Sequence, residues 1–129
     1  MAGGIGSRFW PMSTQKFPKQ FQDILGTGRT MIQQTFDRIK QIVPTENIYV
    51  ITNQEYVELS HHQLPEIPLE NIVGEPVMKN TAACNIYMVN KIADRDADAN
   101  IIVLPADHLI IKEKTFLEKV ELALKAIYK

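Results

Sequence analysis

Apolar positions along the chain fall into short blocks whose spacing alternates between helical and strand-like. Thr30 to Ile42 (TMIQQTFDRIKQI) sets Met31, Ile32, Thr35, Phe36, Ile39 and Ile42 or Val43 at helical spacing, with Thr30 as N-cap and Pro44 as a stop. Asn47 to Thr52 (NIYVIT) is a β-branched run and predicts a buried strand. Gln54 to Gln63 reads as a weaker helix, closed by Pro65 and Pro68, and Asn71 to Val73 as a second short strand. Thr81 to Asp94 predicts a helix with an apolar stripe through Ala82, Ile86, Met88 or Val89, and Ile92. Asn100 to Leu104 (NIIVL) is the most strand-like run, broken by Pro105-Ala106-Asp107-His108. Thr115 to Tyr128 predicts a last helix that buries Phe116, Val120, Leu124 and Ile127.

Helices alternating with continuous apolar strands predict a mostly parallel sheet covered on both faces. The expected architecture is a doubly wound, Rossmann-like α/β domain, with residues 1–129 as a single unit free of repeats, linkers or low-complexity tracts. Ligands of such folds sit beyond the carboxyl ends of the strands. A glycine-rich stretch near the front of the chain and the Pro105–His108 turn are both predicted on that edge, close together.

Charge refines the picture. The formal net charge is -1, which excludes a strongly basic nucleic-acid binder. Residues 1–43 nevertheless hold Arg8, Lys16, Lys19, Arg29, Arg38 and Lys40 against Asp23 and Asp37, and residues 44–80 hold six glutamates against Lys79. A basic front end beside glycines suits a small polyanion; ordinary surface charge is the alternative. Cys84 has no partner for an internal disulfide, and neither a signal peptide nor a long apolar span is visible, so a cytoplasmic, non-membrane protein is expected. His61-His62 and Cys84 lack metal-ligand spacing and read as structural.

The front stretch, Met1-Ala2-Gly3-Gly4-Ile5-Gly6-Ser7-Arg8-Phe9-Trp10-Pro11, carries the candidate chemistry. Glycines let successive backbone amides approach phosphate oxygens. The stretch lacks both the Gly-Lys-Ser/Thr ending of a P-loop and the later glycine of the dinucleotide fingerprint. Gly26–Thr30 (GTGRT) fails the same tests and reads as a turn into a helix. Arg8 and the KFPKQF run from Lys16 to Phe21 add a planar cation for paired contacts and a mobile point charge. Trp10 reads as packing. Asp107 is either a turn residue after Pro105 or a ligand for a hard cation. His108 either shapes that turn or touches a ligand.

AGGIGSRFWP together with FPKQF resembles the signature of the sugar-nucleotide pyrophosphorylases. The Trp-Pro pair and the Pro-Lys-Gln-Phe variant resemble the branch that acts on mannose 1-phosphate. GEPVMKNTAACN (Gly74 to Asn85) and VLPADHLI (Val103 to Ile110) agree, so the motifs span the chain in order up to Ile110. The resemblance implies transfer of a nucleoside monophosphate from GTP to mannose 1-phosphate, giving GDP-mannose and pyrophosphate. It places the triphosphate over Ala2, Gly3, Gly4, Gly6 and Ser7, with Arg8 and Lys19 on the phosphates. Asp107 would hold Mg²⁺, and Glu75, Asn80 and Thr81 would lie along the nucleoside, although Asn80 and Thr81 are equally good helix-start residues.

The resemblance also implies a full strand ahead of the glycines, of which Met1-Ala2 is the visible end. Later segments would supply the sugar-phosphate pocket and a second carboxylate for the metal. The expectation is therefore a partial domain, the nucleotide-holding portion of the enzyme. It would be inactive or weakly active alone, with exposed sheet edges that favour self-association. The alternatives are another sugar-1-phosphate nucleotidyltransferase and a non-catalytic nucleotide-binding module.

Overall fold

The computed structural model describes residues 1–2, 11–14, 16–75 and 80–127. Its sheet pairs β1 (Val50–Asn53) with β2 (Ile72–Glu75) in parallel, with Val50 beside Ile72 and Asn53 beside Glu75. Side chains on a strand alternate between faces, and the two strands use that alternation identically. Val50 and Ile72 enter one core with Phe21, Ile32, Phe36, Tyr56, Leu64 and Ile67, whereas Ile51 and Val73 enter another with Cys84 and Met88. The first core lies under α1 (Met31–Ile39) and α2 (Val57–Gln63), the second under α3 (Asn80–Ala93). A parallel sheet covered on both faces is the doubly wound arrangement that the alternation predicts.

Local chemistry sets the helix starts. Thr30 caps α1 in a capping box: its hydroxyl accepts from Gln33 N, and Gln33 Oε1 accepts from Thr30 N at 3.0 Å. The GTGRT stretch is the predicted turn, with Gly26 and Gly28 at φ 66° and 80°, a region that glycine enters without steric cost. The Asp23 carboxylate accepts from Thr27 N and Gly28 N across that turn, and these bonds hold it below the ordinary carboxylate pKa. The α-helix ends at Ile39, short of Pro44, and its last turn tightens through a 3-10-type bond from Ile42 N to the Ile39 carbonyl at 3.0 Å.

Three expectations need correction, the third being the burial of Ile127, which the last helix leaves exposed near its end. Asn100 to Leu104 forms no strand, and Ile102 and Val103 are exposed. Among the described residues this segment meets the sheet only around Met1: Met1 N donates to Leu104 O at 2.9 Å and Ala106 N to Met1 O at 3.0 Å. These bonds bracket Pro105 in parallel fashion, but they amount to a single residue of ladder. The buried stripe of α3 is displaced in its first half, where Cys84 takes the place of Ala82 and Ile86, whereas Met88 and Ile92 lie where expected. It runs through Cys84 and Met88 with Ile92 packed alongside, and Ala82, Ile86 and Val89 are exposed. Apolar residues lie on several sides of this helix, so periodicity did not select the face; spacing by four residues along the sheet did.

The last helix, α4 (Glu113–Ile127), buries Leu117 and half-buries Phe116, Val120 and Leu124, while Ile127 is exposed. It is pinned to α1 by Arg38, 3% exposed, whose Nε meets Glu113 Oε1 at 3.0 Å. Gly74 marks a close approach within β2. A Cβ there would strike the side chain of Gln54 and stand 3.1 Å from Gln54 Cα. Gly74→Ala is expected to destabilise the fold by about 1–3 kcal/mol through overpacking, measured as the urea midpoint.

Candidate functional site

The carboxyl edge of the sheet gathers four chain segments. β1 ends at Asn53 and β2 at Glu75. Met1-Ala2 lies beside β1, with Ala2 N donating to Ile51 O at 2.8 Å. The turn after Pro105 is tied to Met1 through Ala106 N. The chain thus reaches Ala2, the residue ahead of Gly3, at the edge where the 106–107 turn stands, and a hydrogen bond from Ala106 N to Met1 O ties that turn to the start of the chain. Gly3, Gly4, Gly6, Ser7, Arg8 and Trp10 lie outside the described residues.

Lys19 is delivered to this edge by a 3-10 turn, Lys19–Phe21. The turn is fixed from three sides. Phe21 is fully buried with its ring 5.7 Å from that of Tyr56, Gln63 Nε2 donates to Phe21 O at 3.0 Å, and Gln20 Nε2 donates to Ala2 O at 2.6 Å. Asp107 arrives from the far side of Met1, its predecessor Ala106 held by Met1 O and, at 3.4 Å, by the hydroxyl of Thr35. The result is an ion pair, Lys19 Nζ to Asp107 Oδ2 at 3.6 Å, with the Lys19 side chain 22% and the Asp107 side chain 44% exposed. An opposed pair this open to solvent contributes about 0–1 kcal/mol to folding, so both groups can be drawn onto a ligand at small cost.

Other candidates are placed differently. Glu75 closes β2, and its carboxylate hydrogen-bonds the Cys84 thiol. Burial and that neighbouring negative charge raise the thiol to about 11, so Cys84 stays protonated and inert at neutral pH. Asn80 and Thr81 open α3, with Thr81 exposed. His108 is exposed. His61 and His62 end α2, and among the described residues no group of three or more His, Cys, Asp and Glu could hold a metal. Mg²⁺ binds through one or two carboxylates, with phosphate oxygens and waters completing its shell. Asp107 offers such a carboxylate. This donor set suits an ion that arrives with a polyphosphate better than a resident one.

A cavity of about 500 Å³, lined by Lys16, Glu55, Tyr56, Glu58 and Leu59, opens beside α2 and includes neither Lys19 nor Asp107. Sequence patterns had missed Gln20, Thr35 and Thr52 as anchors of the edge. Gln20 was visible inside the KFPKQF run, but its partner is a backbone carbonyl with no sequence signature. No described helix is long and apolar enough to cross a membrane.

Comparison with known proteins agrees with this geometry. The profile of the family described as Nucleotidyl transferase matches residues 1–126. A mannose-1-phosphate guanylyltransferase of Sinorhizobium fredii is 40% identical over 119 residues, covering 90% of this chain and 23% of that protein. Another from Salmonella typhimurium is 41% identical, covering 93% of this chain and 26% of its own length. The alginate biosynthesis protein AlgA of Pseudomonas syringae pv. tomato is 36% identical over 125 residues, covering 95% and 26%. This chain thus spans about a quarter of the length of the curated relatives it matches. Among solved structures, a Thermus thermophilus protein described as a mannose-1-phosphate geranyltransferase superposes with a TM-score of 0.86 at 28% identity, covering 98% of this chain and 36% of that one.

Proposed function

Because the chain belongs to the nucleotidyl transferase family, we propose that it forms the triphosphate-holding part of a mannose-1-phosphate guanylyltransferase. In that reaction a phosphate oxygen of mannose 1-phosphate attacks the α-phosphorus of GTP. A new phosphorus–oxygen bond forms, the bond to the β-phosphate oxygen breaks, and its electron pair leaves with pyrophosphate. The nucleophile is already an anion, so no side chain has to remove a proton from it. What the protein supplies is alignment and neutralisation of charge.

The residues on the carboxyl edge match those needs. Backbone amides of Gly3 to Ser7 would cradle the phosphates, and Arg8 and Lys19 would offset charge building on the departing pyrophosphate. Asp107 would hold Mg²⁺, which when bound polarises phosphate oxygens as a Lewis acid. The observation that carries the reading is the Lys19–Asp107 pair at 3.6 Å on the carboxyl edge of the sheet: a cation suited to phosphate opposite a carboxylate suited to metal.

Calorimetric titration tests it. The chain is expected to bind GTP saturably, more tightly with Mg²⁺ than with EDTA, and to prefer GTP to ATP. A chain that binds no nucleotide under either condition overturns the reading. A pyrophosphate-release assay pairing GTP or other triphosphates with mannose 1-phosphate or glucose 1-phosphate separates this activity from that of another sugar-1-phosphate nucleotidyltransferase.

A further inference from the structure

The carbonyl oxygen of Ala2 accepts from two side chains, Gln20 Nε2 at 2.6 Å and Thr52 Oγ1 at 3.0 Å. Both donors are buried, Gln20 to 4% exposure and Thr52 to 0%. They come from separate elements, the 3-10 turn and β1. Burying an amide and a hydroxyl carries a desolvation cost that their hydrogen bonds must offset. An apolar pair would leave the carbonyl of Ala2, itself 3% exposed, without these two donors, so the polar pair both satisfies that carbonyl and fixes its place.

That placement has reach in two directions. Gln20 is the peptide neighbour of Lys19, and Ala2 is the peptide neighbour of Gly3. Asp107 is tied to the same post, since Ala106 N bonds Met1 O. A shift of the Ala2 carbonyl therefore moves the start of the glycine stretch and the two charged groups relative to one another. Misplacement of about 1 Å is enough to cost a large factor in a reaction that depends on alignment.

We propose that Gln20, with Thr52 as co-donor, is a positioning residue: through the Ala2 carbonyl it sets where Ala2, the residue ahead of Gly3, stands relative to Lys19 and Asp107. The link to phosphate binding rests on the function proposed above; the positioning itself does not. Gln20→Met keeps the volume and removes the donor. Thr52→Val is isosteric and removes the hydroxyl, and Thr52→Ser restores it.

In the full chain, Gln20→Met is expected to weaken binding of GTP with Mg²⁺ about tenfold, the scale of one lost hydrogen bond. Amide exchange at residues 2–4 should quicken while exchange within α1 stays as in the parent. Thr52→Val should act in the same direction, and Thr52→Ser should behave as the parent. Gln20→Met with parental affinity overturns the proposal, even if exchange at residues 2–4 changes. If the parent chain itself binds no GTP, the phosphate reading falls and exchange alone decides: quicker exchange at residues 2–4 upholds the positioning role, and unchanged exchange overturns it. If Gln20→Met does not fold, the Thr52→Val and Thr52→Ser pair gives the same decision.

Discussion

Replacing Lys19 with methionine is expected to weaken binding of GTP with Mg²⁺ by roughly 10- to 150-fold, the range for losing a hydrogen bond from a charged group, about 1.5–3 kcal/mol. Methionine keeps the stem and removes only the charge. The Lys19 side chain is 22% exposed, so much of its stem packs against the protein while the charged end can meet a ligand. Stability should hardly move, because the Asp107 partner is 44% exposed and remains hydrated when left alone. Titration calorimetry and a thermal melt on the same variant check both halves. Parental affinity would remove Lys19 from the phosphate site.

Phe21→Ala should have the opposite profile, with a large loss of stability from a residue that touches no ligand. Phe21 is fully buried, and its ring meets Tyr56 at 5.7 Å and 60°. Truncating a buried phenylalanine costs about 3–5 kcal/mol, a large part of the roughly 5–15 kcal/mol that holds a typical domain together. Equilibrium urea unfolding measures it, and Phe21→Leu should recover most of the loss. Proline, lysine, glutamine and phenylalanine in the PKQF run therefore have different tasks. Pro18 and Phe21 are buried, Gln20 holds a carbonyl, and only Lys19 faces the edge where ligand would arrive.

Features written into contiguous residues were readable in advance. The Thr30–Gln33 capping box, the Gly26–Gly28 turn and the alternation of strands with helices depend on neighbours a few positions away, and the structure has all of them. What failed depends on partners distant in sequence. Met88 and Ile92 pack as expected, but Cys84, rather than Ala82 and Ile86, faces the sheet because Ile51 and Val73 stand opposite, and no local period encodes that choice on a helix apolar on several sides. Asn100 to Leu104 has the composition of a strand, but composition does not supply a ladder. At the site, the Pro105–His108 turn was expected on the carboxyl edge, but the meeting of Lys19 with Asp107 was not legible, because the two lie far apart in the chain. Nor was the tie from Gln20 to Ala2, because any residue can offer a carbonyl.

The bonds around Met1 and Ala2 also set an order of assembly. Thr52 lies 50 positions from Ala2, whereas Leu104 lies 103 from Met1. At a synthesis rate of about 5–20 residues per second, the partners on one side of this pair appear roughly 5–20 seconds after the pair itself. Helix α1 and the β1–β2 crossover can form from near neighbours in that interval, but Asp107 cannot be set against Lys19 until the distant turn has been made. The nascent chain thus acquires its scaffold early and its opposed charges late. Through much of its synthesis, the carboxyl edge that carries Lys19 exists without the carboxylate of Asp107.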